Sequence, residues 1–222
     1  MAEPSVAKDL IGTSIVTLNN ANTDAVIGET IQYRVTVTVP EAVITDSQLV
    51  DNLDPGLEFV SLDSVEALSA GAATADLTSS VDLFANTSSF NPTATGDGIG
   101  AAQELVFDFG TLTNANSSNA DVETLVLTYT VRVLNVPGNT SNGAATGQLL
   151  NNAATLEYTA GGSPANTNTD SADPVEIIEP ELEILKSISD DTPHLGQTVT
   201  YTLTIQHTAA SCLLYTSDAA DE

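Results

Sequence analysis

The chain contains two lysines, Lys8 and Lys186, and each stands where an apolar residue belongs. Val6-Lys8-Leu10 and Ile184-Lys186-Ile188 both read with a period of two, so in a strand each amine turns with its neighbours toward a core. Desolvation disfavours the charged form, and a buried ammonium without a partner loses its proton or finds an acceptor. The fold must therefore supply groups that receive these amines. With only 4 Lys and Arg residues in 222, the repeated placement points to a structural, self-crosslinking chain rather than to an enzyme.

The elements that must position these lysines are strands. In Thr30 to Val39, the residues Ile31, Tyr33, Val35, Val37 and Val39 alternate with polar ones, which predicts a half-buried antiparallel strand. Thr124 to Val133 repeats the signal through Leu125, Leu127, Tyr129, Val131 and Val133, and Arg34 and Arg132 fall on the polar faces. Further strands are expected at 4–11, 43–51, 57–65, 103–109, 148–159 and 171–178, separated by turn signals such as Asp54-Pro55-Gly56, Pro137-Gly138 and Gly161-Gly162. This pattern, without helical periodicity, describes an all-β, immunoglobulin-like β-sandwich over residues 1–178. Such a module has about 100 residues, and the surplus falls in 66–102 and 136–147, both read as surface insertions.

Composition agrees. The chain is 41% hydrophobic and 5% aromatic with no Trp, enough for one sizeable core and part of a second. Its formal charge of −26 repels phosphate backbones and anionic headgroups, which excludes nucleic acid and membrane-surface partners. Such a charge suits a salty extracellular setting. Residues 1–211 hold no cysteine, so neither a disulfide nor a thiolate metal site staples the fold. No apolar run is long enough for a spanning helix, and Met1-Ala2-Glu3-Pro4 does not read as a signal peptide; a secreted chain of this kind is expected to be an internal piece of a longer one.

The sequence also repeats. Gly28-Glu29-Thr30-Ile31-Gln32-Tyr33-Arg34-Val35 returns as Gly196-Gln197-Thr198-Val199-Thr200-Tyr201-Thr202-Leu203, and Glu179-Pro180 mirrors Glu3-Pro4. Residues 179–211 thus read as the first two strands of a second, incomplete copy in a tandem array. From Cys212 onward, residues 212–222 continue neither the alternation nor the composition and read as a non-native tail, like translated adaptor sequence on a metagenomic fragment.

Four phrases carry a resemblance: Lys8; Gly28-Glu29-Thr30-Ile31-Gln32-Tyr33; Val50-Asp51-Asn52-Leu53-Asp54-Pro55-Gly56-Leu57-Glu58-Phe59-Val60; and Asn152-Ala153-Ala154-Thr155-Leu156-Glu157-Tyr158. In this order they resemble the immunoglobulin-like repeat of large bacterial surface proteins, a domain-of-unknown-function family, and the related isopeptide-forming fimbrial domain. The fimbrial family implies an intramolecular amide between a first-strand Lys and a last-strand Asn, assisted by a buried acid. Transferred to this chain, Lys8 and Asn152 are the pair and Asp51 the assisting acid. Alternation supports the transfer, because Leu150, Asn152, Ala154, Leu156 and Tyr158 share a face, as do Leu49, Asp51 and Leu53. The competing reading has Lys8 snorkelling to the sheet edge, Asn152 capping a bulge and Asp51 binding turn amides. Glu104 and Asp108 are the alternative acids, but they alternate with Leu105, Phe107 and Phe109 and so face solvent.

Other signals are weaker. Asn86-Thr87-Ser88, Asn116-Ser117-Ser118 and Asn139-Thr140-Ser141 have the form of glycosylation sequons in a chain rich in Asn, Ser and Thr. Asp170, Asp173 and Glu176, with Asp190 and Asp191, are candidate Ca²⁺ ligands without EF-hand spacing. His194 and His207 suit turn and strand-end positions, and no Ser/His/Asp, zinc or phosphate-loop pattern exists, so no enzyme and no obligatory cofactor are expected. The favoured function is a stalk or adhesin shaft of a secreted surface protein whose partners are neighbouring repeats of the same chain. The alternative is a Ca²⁺-dependent adhesin module that binds host or surface ligands through 66–102.

Overall fold

A computed structural model describes residues 3–15, 22–70, 75–84, 90–118, 122–140, 148–161, 163–178 and 182–207, with the backbone alone at 163–165, 182 and 207. The tail from Cys212, Asn86 and much of 136–147 lie outside the described residues.

Among them every regular element is a strand. The strands are β1 (Ser5–Thr13), β2 (Asp24–Ala25), β3 (Thr30–Val39), β4 (Ala42–Leu53), β5 (Leu57–Ser69), β6 (Leu77–Ser79), β7 (Thr93–Thr95) and β8 (Gln103–Asn114). They continue as β9 (Glu123–Val133), β10 (Leu149–Leu150), β11 (Asn152–Ala160), β12 (Ser163–Ser171), β13 (Val175–Ile177), β14 (Leu182–Ile188) and β15 (Tyr201–His207). One sheet has the order β1-β3-β9-β5, and the facing sheet has the order β12-β11-β4-β8-β6, with β7 also on β8. A small sheet β10-β13-β2 closes one end, and β14-β15 form a hairpin of their own. The chain is an all-β, immunoglobulin-like sandwich, and no helix among the described residues is long and apolar enough to cross a membrane.

Alternation builds the core. On β3 and β9 every second residue is fully or almost fully buried, from Ile31 to Val39 and from Leu125 to Val133. The facing sheet answers with Ile44, Leu49 and Leu53 of β4, Leu105, Phe107, Phe109 and Leu112 of β8, and Ala154 and Leu156 of β11. The chain changes sheets between β3 and β4 and again between β4 and β5. The second crossing is the turn at Asp54-Pro55-Gly56, where Leu57 N–H donates to Asp54 C=O at 3.1 Å. Gly56 has φ +103° and a Cβ there would meet Asn139 Oδ1 at 2.3 Å, so both backbone and space demand glycine. Asn139 Nδ2 donates to the carbonyls of Gly56 and Leu134, fastening this turn. The Asn139 sequon is consequently a buried structural clamp.

The structure departs from the sequence expectations in places. Segment 66–102 does not lie over the surface as a plain insertion: β5 runs on to Ser69, β6 and β7 extend the second sheet, and Leu77, Leu83 and Phe90 join the core. Its small residues hide sparse apolar anchors from a periodicity reading. The expected strand 148–159 is broken at Asn151 into β10 and β11. Of the expected strand 171–178 only β13 forms, while β12 arises from a Ser/Thr/Asn-rich stretch that carries no hydrophobic alternation.

The β14-β15 hairpin repeats the β1-β3 register. Lys186 stands opposite Leu203 as Lys8 stands opposite Val35, and Ile188 opposite Tyr201 as Leu10 opposite Tyr33. The hairpin lacks a covering sheet among the described residues, leaving Ile184, Leu203 and Ile205 66%, 65% and 68% exposed. An isolated two-stranded hairpin is marginal in water. Limited proteolysis is therefore expected to cut first within 179–207 and to leave a resistant core ending near residue 178, as read by mass mapping; protection through residue 205 would contradict this.

Candidate functional site: a buried amine, acid and amide

The polar centre of the sandwich is assembled from both sheets. Lys8 on β1 points inward between Val6 and Leu10, and its side chain is fully buried. Asp51 lies between Leu49 and Leu53 on β4, fully buried, and Asn152 is 1% exposed at the start of β11. β4 and β11 pair so that Asp51 faces Ala154 and Asn152 faces Leu53, which makes Asp51 and Asn152 diagonal neighbours on one face. Asp54 fixes the approach of β11, its Oδ2 accepting from the Asn151 backbone N–H at 2.8 Å.

The three residues read from the sequence are thus brought together. Lys8 Nζ forms an ion pair with Asp51 Oδ2 and donates to Tyr129 Oη at 2.7 Å. Tyr129 Oη in turn donates to Asp51 Oδ2 and accepts from Asn152 Nδ2 at 3.0 Å. The nitrogens of Lys8 and Asn152 are therefore at most two hydrogen-bond lengths apart. Asp51 Oδ1 and Asn152 Oδ1 are buried without hydrogen-bond partners among the described residues.

Tyr129 is the member the sequence reading missed. It sits opposite Tyr33 on β9 and fits the apolar face like the leucines and valines around it. The signal that was available is chemical: a core tyrosine carries a hydroxyl that needs a partner. Its ring centroid lies 5.9 Å from those of Tyr33 and Phe107 and 6.4 Å from that of Phe59, while the Lys8 amine lies 5.1 Å from the centre of the Tyr33 ring.

Burial drives the amine and the acid toward their neutral forms. It pushes the Lys8 amine down from 10.5 to about 8, against the charge and hydrogen bond of Asp51 and the charge of Asp170. It pushes the Asp51 carboxyl up, against the Lys8 charge and the hydrogen bonds from Lys8 and Tyr129. Burial, followed by the Asp51 charge, likewise raises the Tyr129 and Tyr33 hydroxyls.

Two expectations about geometry change. Asn152 is not on the last strand, because β12 and β13 follow β11, but β1 and β11 do lie close together, and Tyr129 Oη links Lys8 to Asn152. Snorkelling of Lys8 is excluded by its burial, and Asp54 rather than Asp51 binds a backbone amide near the turn. Glu104 and Asp108 are exposed on β8, away from the core face. Lys186 is exposed on β14, its ammonium 4.4 Å from the centre of the Tyr201 ring.

The Ca²⁺ candidates are not gathered. Asp170 Oδ2 accepts the Lys8 backbone N–H at 2.8 Å, Asp173 is exposed, and Glu176 lies within β13. Among the described residues no group of three His, Cys, Asp or Glu could hold a metal ion.

No protein-family model and no curated protein sequence matches the chain. Among solved structures it is similar to the major pilin subunit BcpA of Bacillus cereus, at 16% identity over 83% of this chain and 42% of the pilin, with a TM-score of 0.42. The full-length major pilin SpaD of Corynebacterium diphtheriae is similar at 17% identity over 89% of this chain and 40% of the pilin, TM-score 0.41. The collagen-binding subdomain ACE19 of the Enterococcus faecalis surface protein ACE is similar at 11% identity over 79% of this chain and 99% of the subdomain, TM-score 0.39. The chain spans less than half the length of either pilin.

The shifted amine gives a pH dependence. In Asn152→Ala, which keeps the Lys8–Asp51 pair, the folded state binds fewer protons than the unfolded state between about pH 8 and 10.5. Stability therefore rises with pH through that window and carries its full penalty below it. Tyr33 and Tyr129, raised above 10.0 when folded, have the opposite sign and turn the curve over from about pH 10. Urea midpoints of Asn152→Ala should climb from pH 8 toward 10, and the climb should vanish in Lys8→Met/Asn152→Ala; equal slopes would contradict the buried amine.

Proposed function

We propose that this chain is a structural module of a secreted, repetitive bacterial surface protein, a stalk or adhesin shaft, in which Lys8 and Asn152 join through an autocatalytic isopeptide bond. The observation that carries the reading is the enclosure of an amine, a carboxyl and a carboxamide in one apolar core, all within hydrogen-bonding reach of one tyrosine oxygen.

Chemistry follows from the burial. Transfer of one proton from Lys8 to Asp51 turns the ion pair into a neutral amine and a carboxylic acid, the direction in which desolvation pushes both. The amine is then a nucleophile toward Cγ of Asn152. A proton on Asp51 Oδ1 would make that orphan acceptor a donor for Asn152 Oδ1, polarising the carbonyl. Attack places the electron pair on Oδ1, its return expels Nδ2 as ammonia, and Nζ keeps one hydrogen as a secondary amide. Ammonia departs, so the bond is permanent. The module reacts once with itself and turns over no substrate.

A crosslink of this kind serves a load-bearing role in a chain without disulfides. By analogy with a disulfide, closing the chain between residues 8 and 152 is worth about 5 kcal/mol in the chain-entropy description. Cell-surface placement and association with neighbouring repeats complete the reading; the acidic composition and the β1-β3 register repeated in β14-β15 support it.

Intact-mass measurement on the purified, folded chain is expected to fall one ammonia short of the sequence mass. Lys8→Ala, Asn152→Ala and Asp51→Ala are expected to show the full mass. Asn152→Ala, which keeps the Lys8–Asp51 pair, should fold and be less stable than the parent by about 5 kcal/mol. A full mass for the folded parent would overturn the crosslink.

A further inference from the structure

Amide formation moves a proton as well as making a bond. The attacking Lys8 nitrogen must give up one hydrogen, and the departing Asn152 nitrogen must gain one to leave as ammonia. Asp51 Oδ2 touches Lys8 Nζ, but the hydrogen-bond partner of Asn152 Nδ2 is Tyr129 Oη. Among the described residues, Tyr129 Oη is the atom hydrogen-bonded to both nitrogens.

Resting on the crosslinking function proposed above, we propose that the Tyr129 hydroxyl is a catalytic proton carrier that relays hydrogen from the attacking nitrogen of Lys8 to the leaving nitrogen of Asn152. In the resting cluster Tyr129 donates to Asp51 Oδ2 and accepts from both nitrogens. The planar carboxamide nitrogen has its lone pair tied up in the amide and only donates. Once Lys8 has added to Cγ, that carbon is tetrahedral and Nδ2 becomes an amine with a free lone pair. Tyr129 Oη then swings its proton from Asp51 to Nδ2 and takes one from Nζ. The Cγ–Nδ2 bond breaks, ammonia departs, and the hydroxyl ends with one proton as it began. Asp51 recovers the proton it lent to the carbonyl oxygen. No water is required, which suits a cluster whose side chains are sealed by both sheets.

The placement is specific to the hydroxyl, not to the ring. Tyr33 is also fully buried and its ring also faces the amine, yet its hydroxyl makes no hydrogen bond to the Lys8 amine; it lies beside the Asn152 side chain and so bridges no pair of nitrogens. Tyr33→Phe is therefore a matched control for the loss of one buried tyrosine hydroxyl.

The full chain, synthesised cell-free and quenched in acid denaturant at intervals, reports crosslinking as loss of ammonia by intact mass. Tyr33→Phe is expected to close at the parental rate, and Tyr129→Phe to close on the order of 100-fold more slowly, the range of general acid–base assistance. Folding of each variant is checked by near-ultraviolet circular dichroism. 3-Fluorotyrosine at position 129 keeps the hydroxyl and ring while making the proton more acidic. It should restore closure to Tyr129→Phe and shift the pH profile of the rate, and this arm decides the matter if Tyr129→Phe does not fold. Equal rates for the parent and a folded Tyr129→Phe, or an unchanged pH profile with 3-fluorotyrosine, would overturn the relay while leaving the crosslink intact. A parent that never loses ammonia would instead overturn the crosslinking function beneath it.

Discussion

The structure turns on one amine held in an apolar interior. The Lys8–Asp51 contact spans the sandwich, from the edge strand of one sheet to the middle of the other. Two opposite charges attract strongly at low dielectric, but removing both from water cancels much of the gain. The pair is tolerated because Tyr129 adds a hydrogen bond to each member. Removing one partner of such a pair leaves an uncompensated charge at a cost of about 3–5 kcal/mol. The register of β1 on β3 is tied to that contact, since a slip of one residue would turn Lys8 to solvent and bring Ala7 and Asp9 inward.

That demand explains how the edge of the first sheet is finished. β1 pairs with β3 on one side only, and its other edge would expose backbone donors. Asn168 and Asp170 of β12 meet that edge with side chains, Asn168 Oδ1 accepting from Val6 N–H at 2.7 Å and Asp170 Oδ2 from Lys8 N–H. The two sheets are thus joined along their sides by carboxyl and amide groups instead of a shared ladder. The same contacts hold the Lys8 backbone while its side chain reaches across the core. A residue that looked like a metal ligand in the sequence serves as an edge clasp, and its charge also favours the ammonium form of Lys8.

What was legible in the sequence was what alternation encodes. The β3 and β9 faces, and the inward turn of Lys8, Asp51 and Asn152, follow from the identities of residues two positions away. Two kinds of information were not local. β12 is a strand through its ladder with β11, and its polar side chains Asn168 and Asp170 meet the edge of β1, so it has no hydrophobic period to read. The role of Tyr129 depends on contacts across the sandwich, and a tyrosine among aliphatic residues keeps the same pattern whether or not its hydroxyl is used.

The β14-β15 hairpin separates what a strand pair contributes from what the second sheet contributes. It reproduces the register of β1 on β3 and sets Lys186 over Tyr201, closer than Lys8 lies to Tyr33. Yet Lys186 is exposed, and among the described residues it meets neither an inward acid nor an amide. Lysine placement is therefore local, whereas a desolvated amine is a property of the closed sandwich, arising only when β4, β9 and β11 bring Asp51, Tyr129 and Asn152 over it. On the crosslinking function proposed above, chemistry that waits for closure would join Lys8 to Asn152 only after the sandwich has formed, so the bond would fix the native pairing and not trap a misfolded one.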